Sequence, residues 1–157
     1  MTEVTDNLNF LVLEMSRLIR AGFEERVTET GLGVTASEAR LLAHLRHVGP
    51  MRQIDLAERL GVGQMSVCGF IDRLESAGLV TRTADPEDRR AKRVSLSATS
   101  GPVLRQIEAI GATLRETARG DMTDEEWRTL IALTRRARDN LANARSSQCE
   151  KTAGETA

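Results

Sequence analysis

The stretch IDLAERLGVGQMSVCGFIDRLESAG, residues 54–78, decides the fold. Two apolar runs of helical period meet at Gly61-Val62-Gly63, which leaves room only for a tight turn. The first run carries Ile54, Leu56, Ala57 and Leu60 as its inward set. Arg52, at its cap position, is a poor capping residue, so its start is weakly marked. The second run spans about Gln64 to Ser76, with Val67, Phe70, Ile71 and Leu74 facing inward at i, i+3, i+4, i+7. Its outward face is Gly63, Gln64, Met65, Ser66, Cys68, Gly69, Asp72, Arg73 and Ser76. A helix face meant only for solvation would carry Lys and Glu. Small and polar side chains instead let a helix approach a groove closely.

After Gly78 the period changes. Leu79–Thr83 reads as a short strand, Asp85-Pro86-Glu87-Asp88 as a turn, and Lys92–Leu96 as a second strand that alternates polar and apolar. The two strands form a hairpin whose loop spans about residues 84–91. Upstream, Thr35 and Glu38 make a capping box for a helix with Leu41, Leu42, Leu45 and Val48 inward, stopped at Gly49-Pro50. Before it, Leu8, Leu11, Val12, Met15, Leu18, Ile19, Gly22 and Phe23 form one apolar stripe on a helix that ends near Thr30-Gly31. Residues 1–30 hold six acids and three bases. A long stripe on an acidic terminal helix needs a cover, and a second subunit is a natural one.

Downstream, Val103, Leu104, Ile107, Ile110 and Leu114 mark a helix over about residues 100–119. Gly101-Pro102 sits in its first turn, so a late start is expected. Thr123 and Glu126 form a second capping box. It opens a last helix with Trp127, Leu130, Ile131, Thr134, Ala137 and Leu141, and Trp127 is expected in a core or dimer interface. Beyond Ala144 the apolar pattern stops.

The expected organisation is an N-terminal dimerisation helix (1–33), a winged helix-turn-helix DNA-binding domain (34–97), C-terminal dimerisation helices (98–144) and a disordered tail (145–157). The fold class is mainly α with a small β-hairpin wing.

Helix, glycine turn, helix and basic hairpin together suit double-stranded DNA. The second helix fits the major groove with its N-terminal residues nearest the base edges, and the hairpin reaches the flank. The chain as a whole carries a net charge of −1, which opposes nucleic-acid binding. Residues 82–93, however, hold Arg82, Arg89, Arg90, Lys92 and Arg93 against Asp85, Glu87 and Asp88. Screening over ~8 Å keeps such a local patch effective despite acids elsewhere. Gln64 can pair bidentately with adenine, Ser66 can donate to a base or phosphate, and arginine at a hairpin tip suits a narrow minor groove.

Leu56–Val62, Val67–Val80, Arg82, Asp85–Arg90 and Val94–Ser97 resemble the MarR family of winged helix-turn-helix transcriptional regulators. The wing pattern D-x-x-D-x-R, here Asp85, Asp88 and Arg90, is the most specific part. The resemblance implies a homodimer held by the first and last helices, a pseudo-palindromic operator, and a small-molecule or redox signal that weakens DNA binding. By the same resemblance Arg90 enters the minor groove, and Ser66, Cys68 and Gly69 face the major groove. Gly69 departs from the family, where a basic residue is frequent, and Cys68 stands where Thr is frequent.

The candidate DNA-binding residues are Gln64, Met65, Ser66, Cys68, Gly69, Arg73, Arg82, Arg89, Arg90 and Lys92. Candidate effector-binding residues are Met15, Arg17 and His44, for a small aromatic or phenolic effector. The expected role is a repressor released by that effector. One alternative is a winged-helix module that binds protein; another is a regulator switched by oxidation at Cys68, against which Cys68 is simply a small residue tolerated near DNA. Arg89 and Arg90 can equally be surface residues paired with Asp85 or Asp88. His44 and His47 lie three apart but are too few for a metal site. No nucleophile elbow, phosphate loop or ligand cluster points to an enzyme, and no cofactor is implied. Widely separated Cys68 and Cys149, a start without a basic-then-apolar signal and the absence of a spanning apolar run lead to a cytoplasmic expectation.

Overall fold

The computed structural model of the chain describes residues 7–88 and 90–154. Helix α1 (Leu8–Thr30) is followed by α2 (Ala36–Val48), a two-residue strand β1 (Met51–Arg52), α3 (Gln53–Leu60) and α4 (Gln64–Ser76). Strands β2 (Val80–Ala84) and β3 (Lys92–Leu96), a 3-10 turn (Ala98–Ser100), α5 (Gly101–Arg119) and α6 (Asp124–Gly154) complete the order. The chain divides into two compact units, Met1–Arg115 and Glu116–Ala157.

In the first unit the local signals act as read. Thr35 Oγ1 accepts from the Glu38 N–H while Glu38 Oε2 accepts from the Thr35 N–H at 2.8 Å, so both arms of the capping box close. Gly61 ends α3 at φ 65°, a conformation that costs a side-chain-bearing residue, and this sharp stop lets α4 begin three residues later. The core draws Leu41, Leu42 and Leu45 from α2, Leu56 and Leu60 from α3, Val67, Ile71 and Leu74 from α4, and Val80 and Val94 from the strands. Val27 of α1 and Leu104, Ile107 and Ile110 of α5 extend it. At Gly22 the two long helices come so close that an added Cβ would meet Leu114 Cδ2 at 2.9 Å.

The wing is a three-stranded antiparallel sheet in the order β1-β3-β2, not a bare hairpin. Met51 pairs with Val94 and Arg52 with Arg93, while Arg82 lies opposite Val94 from the other side. Strand β1 ties the start of α3 directly to the wing.

Two members of the expected inward sets lie outside. Val48 is exposed because it is the last residue of α2, where no neighbour stands over it. Ile54 is exposed because helical side chains lean toward the N-terminus, and in the first turn of α3 that direction leaves the core. Helix α5 does not start late: it begins at Gly101, since in a first turn the N–H that Pro102 lacks has no partner anyway.

In the second unit Thr123 and Glu126 close the other capping box, with Thr123 N–H donating to Glu126 Oε2 at 2.8 Å. Arg119 pairs with Asp124 across the same turn. Trp127 is half-buried within the chain, and Leu130, Ile131, Leu133 and Leu141 are exposed. Helix α6 continues past Ala144 to Gly154. The apolar stripe stops there, but Ala, Arg, Gln, Glu and Lys are good helix formers, and no Gly or Pro intervenes before Gly154. Residues 155–157 of the expected tail lie outside the described residues.

Candidate nucleic-acid interface

The N-terminal turn of α4 is exposed and carries no charge. Gly63, its cap residue, offers no side-chain cap. Gln64, Met65 and Ser66 are exposed, Met65 at 88%, so the first turn presents an amide, a thioether and a hydroxyl to the outside. Behind them Cys68 and Gly69 are half-buried. The Gln53 amide Nε2 lies 3.4 Å from Cys68 Sγ. A neutral amide there gives the sulfur no cation of the kind that activates a thiolate.

Arg73, further along α4, is held by its own chain. Its Nε donates to Glu38 Oε1 at 2.5 Å, and its guanidinium sits 5.5 Å from the centre of the Phe70 ring. Burial pushes the Glu38 carboxyl up, but the Thr35 N–H, Arg73 and the Thr35 hydroxyl outweigh it and leave the group below its ordinary value. One buried carboxylate thus caps α2 and grips α4.

Arg82 of β2 turns back onto α4. Nη2 meets Asp72 Oδ1 at 2.5 Å, Nη1 meets Glu75 Oε2 at 2.6 Å, and the side chain is 20% exposed. Burial lowers its pKa, but the two carboxylates prevail and raise it. The sequence supplies the charge of Arg82 without disclosing these partners.

The wing root is organised by Asp85, only 2% exposed. Oδ2 accepts from Arg52 Nε at 2.9 Å. Oδ1 accepts from Arg52 Nη2 at 3.0 Å and from the N–H groups of Glu87 (2.9 Å) and Asp88 (3.2 Å). These donors hold its carboxyl well below the usual carboxylate range, Arg52 contributing most. Arg93 Nε stands 3.9 Å from Oδ2 and is buried without a hydrogen bond. Asp85 therefore pairs with Arg52, because β1 brings Arg52 alongside.

At the wing tip Arg90 and Lys92 are exposed. The Arg90 N–H donates to Asp88 Oδ1 at 3.0 Å, but neither guanidinium nor ammonium has an ion-pair partner among the described residues. Arg89 lies outside the described residues. Of the site residues read from sequence, the side chains of Gln64, Met65, Ser66, Arg90 and Lys92 have no hydrogen-bond or ion-pair partner among the described residues, whereas Arg82 is tied inward and Arg73, still 58% exposed, is paired with Glu38. Sequence reading missed Glu38, Arg52 and Gln53 at this site. The capping box marked Glu38, but only for its local role.

The candidate effector residues are scattered. Met15 is exposed, and Arg17 pairs with Glu14 at 2.6 Å. His44 Nδ1 lies 3.2 Å from the Arg40 carbonyl, and burial keeps its pKa down. None of the three lines either concavity of the first unit. One, of about 410 Å³, lies between the end of α1 and α5. The other, of about 330 Å³, is walled by Phe23, Leu104 and Ile107 with His47, Arg115 and the Arg46–Glu108 pair. Among the described residues no group of three or more His, Cys, Asp or Glu side chains is placed to hold a metal ion, and no helix is long and apolar enough to cross a membrane.

A glycine-turned helix pair whose second helix bares its first turn, flanked by a sheet with free cations at its tip, defines a winged helix-turn-helix protein. The MarR family model matches residues 34–92, the segment from the α2 cap into the wing. A probable transcriptional regulator from Pseudomonas aeruginosa is 27% identical, with a TM-score of 0.63 over 86% of this chain and 99% of that one. The wild-type, apo MarR of E. coli is 23% identical, with a TM-score of 0.69 over 87% and 98%. The Bordetella bronchiseptica protein BpsR, whose structure concerns regulation of its DNA binding by 6-hydroxynicotinic acid, is 21% identical, with a TM-score of 0.66 over 88% and 98%. The chain thus carries a segment that matches the MarR family model and has the fold of the MarR structures.

Proposed function

We propose that the protein is a cytoplasmic, sequence-specific regulator of transcription that binds double-stranded DNA as a homodimer. The observation that carries this reading is the free pair of cations, Arg90 and Lys92, on a wing tied to the same unit as the bare first turn of α4. Gln64, Met65 and Ser66 read base edges in the major groove, while Arg90 takes the flanking minor groove and Lys92 a phosphate. In a two-fold dimer the two recognition helices stand one helical turn apart, ~34 Å, and the operator is a pseudo-palindrome.

Selection of bound duplexes from random DNA tests the reading directly. Arg90→Ala is expected to weaken binding to all selected sites by ~1 kcal/mol or more and to flatten the salt dependence. Gln64→Ala relaxes preference at one base position instead. Two variants with the same profile across the site library would contradict these assignments, and an affinity indifferent to salt would favour a protein partner.

The regulator acts as a repressor released by a small aromatic or phenolic effector. The half-enclosed concavity between α1, α2 and α5 supports this, since it joins an apolar wall to His47 and Arg115. In that pocket Arg115→Ala should raise the concentration of an aromatic acid needed to free the operator by roughly ten-fold, the loss of about one charge-assisted hydrogen bond. Release by no aromatic acid in an operator-binding assay counts against the effector reading alone.

A further inference from the structure

Two carboxylates on the recognition helix are hard to reconcile with close approach to a polyanion. Asp72 lies seven residues from Met65, hence on the same side of α4 two turns along, and its side chain is 66% exposed. Glu75 is 41% exposed beside it. Both reach the Arg82 guanidinium at 2.5–2.6 Å, so two negative charges share one positive charge and the trio retains a charge of −1. Glu75 Oε1 also accepts from the Arg82 N–H at 3.2 Å, which fixes the wing strand against the helix.

We propose that this trio sets specificity by attenuating sequence-independent DNA binding. Arg82 silences enough of the acid charge for the helix to enter a groove. The residual negative charge keeps phosphate attraction weak, so that base contacts at the first turn of α4 decide which sites are held. The inference rests on the DNA-binding reading above. It assigns Arg82 a positioning role through Asp72 and Glu75 in place of a direct phosphate contact.

The test separates charge from tie. In Asp72→Asn/Glu75→Gln the side-chain carbonyls still accept from Arg82, so the wing stays docked while two negative charges disappear. Affinity for a random-sequence duplex should rise roughly ten-fold at low salt, with a log K against log salt slope steeper by about one. Affinity for the selected operator should rise less, so the ratio of the two falls. Arg82→Gln leaves both acids uncompensated and should weaken binding to both duplexes. Adding Asp72→Asn and Glu75→Gln to Arg82→Gln should return binding toward the wild-type level. Melting curves establish that each variant folds. If the tie alone mattered, the triple variant would not recover and the double variant would gain nothing; either result overturns the attenuator. Wild-type protein that binds neither duplex overturns the DNA-binding reading itself, a different outcome from wild-type binding that the double variant fails to change.

Discussion

Asp85→Ala is expected to loosen the wing and to weaken operator binding by roughly ten-fold or more, the scale of losing a well-placed wing contact. The reason is geometric. The Asp85 carboxylate gathers the Arg52 guanidinium and two turn N–H groups at a buried point where β1, β3 and the wing turn converge. Its removal leaves Arg52 with only the exposed Glu87 carboxylate at 3.3 Å, takes the one nearby carboxylate from the already unsatisfied Arg93 Nε, and strips the Glu87 and Asp88 N–H groups of their acceptor. Without that shared acceptor the wing turn and β1 are no longer held together, and the Arg90 tip loses its fixed direction.

The same residue gives a signed pH dependence. Its carboxyl titrates well below its ordinary value of 3.8, so its stabilising contribution is full above that value. The contribution is lost as pH falls below it toward the folded-state pKa. Glu38, also held below its ordinary value, acts in the same sense. Melting temperature measured from pH 7 down to about pH 2 should therefore show a gap between wild type and Asp85→Ala that is constant near neutrality and closes on the acid side. A gap that persisted unchanged through the acid limb would refute the anchor.

The second large effect concerns assembly. Leu8, Leu11, Val12, Met15, Leu18 and Ile19 of α1 are each at least 45% exposed, although they form one continuous apolar stripe. Leu11→Glu/Ile19→Glu is expected to yield a folded monomer, because neither side chain belongs to the core of its own chain. Loss of the second reading head should reduce operator affinity by about 10²-fold or more, since the gain from linked sites vanishes. Sedimentation equilibrium and circular dichroism check the two halves. A variant that stays dimeric, or a wild-type protein that is monomeric at micromolar concentration, would remove the dimer from the proposal.

What the chain disclosed in advance was mostly what is decided locally. The capping boxes at Thr35 and Thr123 are four-residue events, and both form as read. The stops at Gly31 and Gly61 depend on one backbone angle each. Strand β1 escaped because two residues carry no period, and its partner β3 lies some forty positions away in sequence. Val48 and Ile54 were misplaced because a helical stripe extrapolates past the point where tertiary neighbours end. The continuation of α6 beyond Ala144 was hidden for the opposite reason: propensity outlasts the apolar pattern. On α4, Gln64, Met65 and Ser66 were legible as an exposed, uncharged first turn because the inward positions carry the helical period. Arg73 and Arg82 were legible only as charges. Whether an arginine faces outward or turns back onto Glu38 or Asp72 depends on residues brought together by the fold, which no local pattern encodes.

Strand β2 is the open margin of the wing sheet, and such margins expose backbone donors to which another chain can add a strand. Here the outward N–H of Arg82, midway along that margin, is already occupied by a side chain from α4. Glu75 thus closes a point of entry for edge-to-edge stacking. A chain that must remain dispersed gains protection against edge-to-edge aggregation from a single carboxylate.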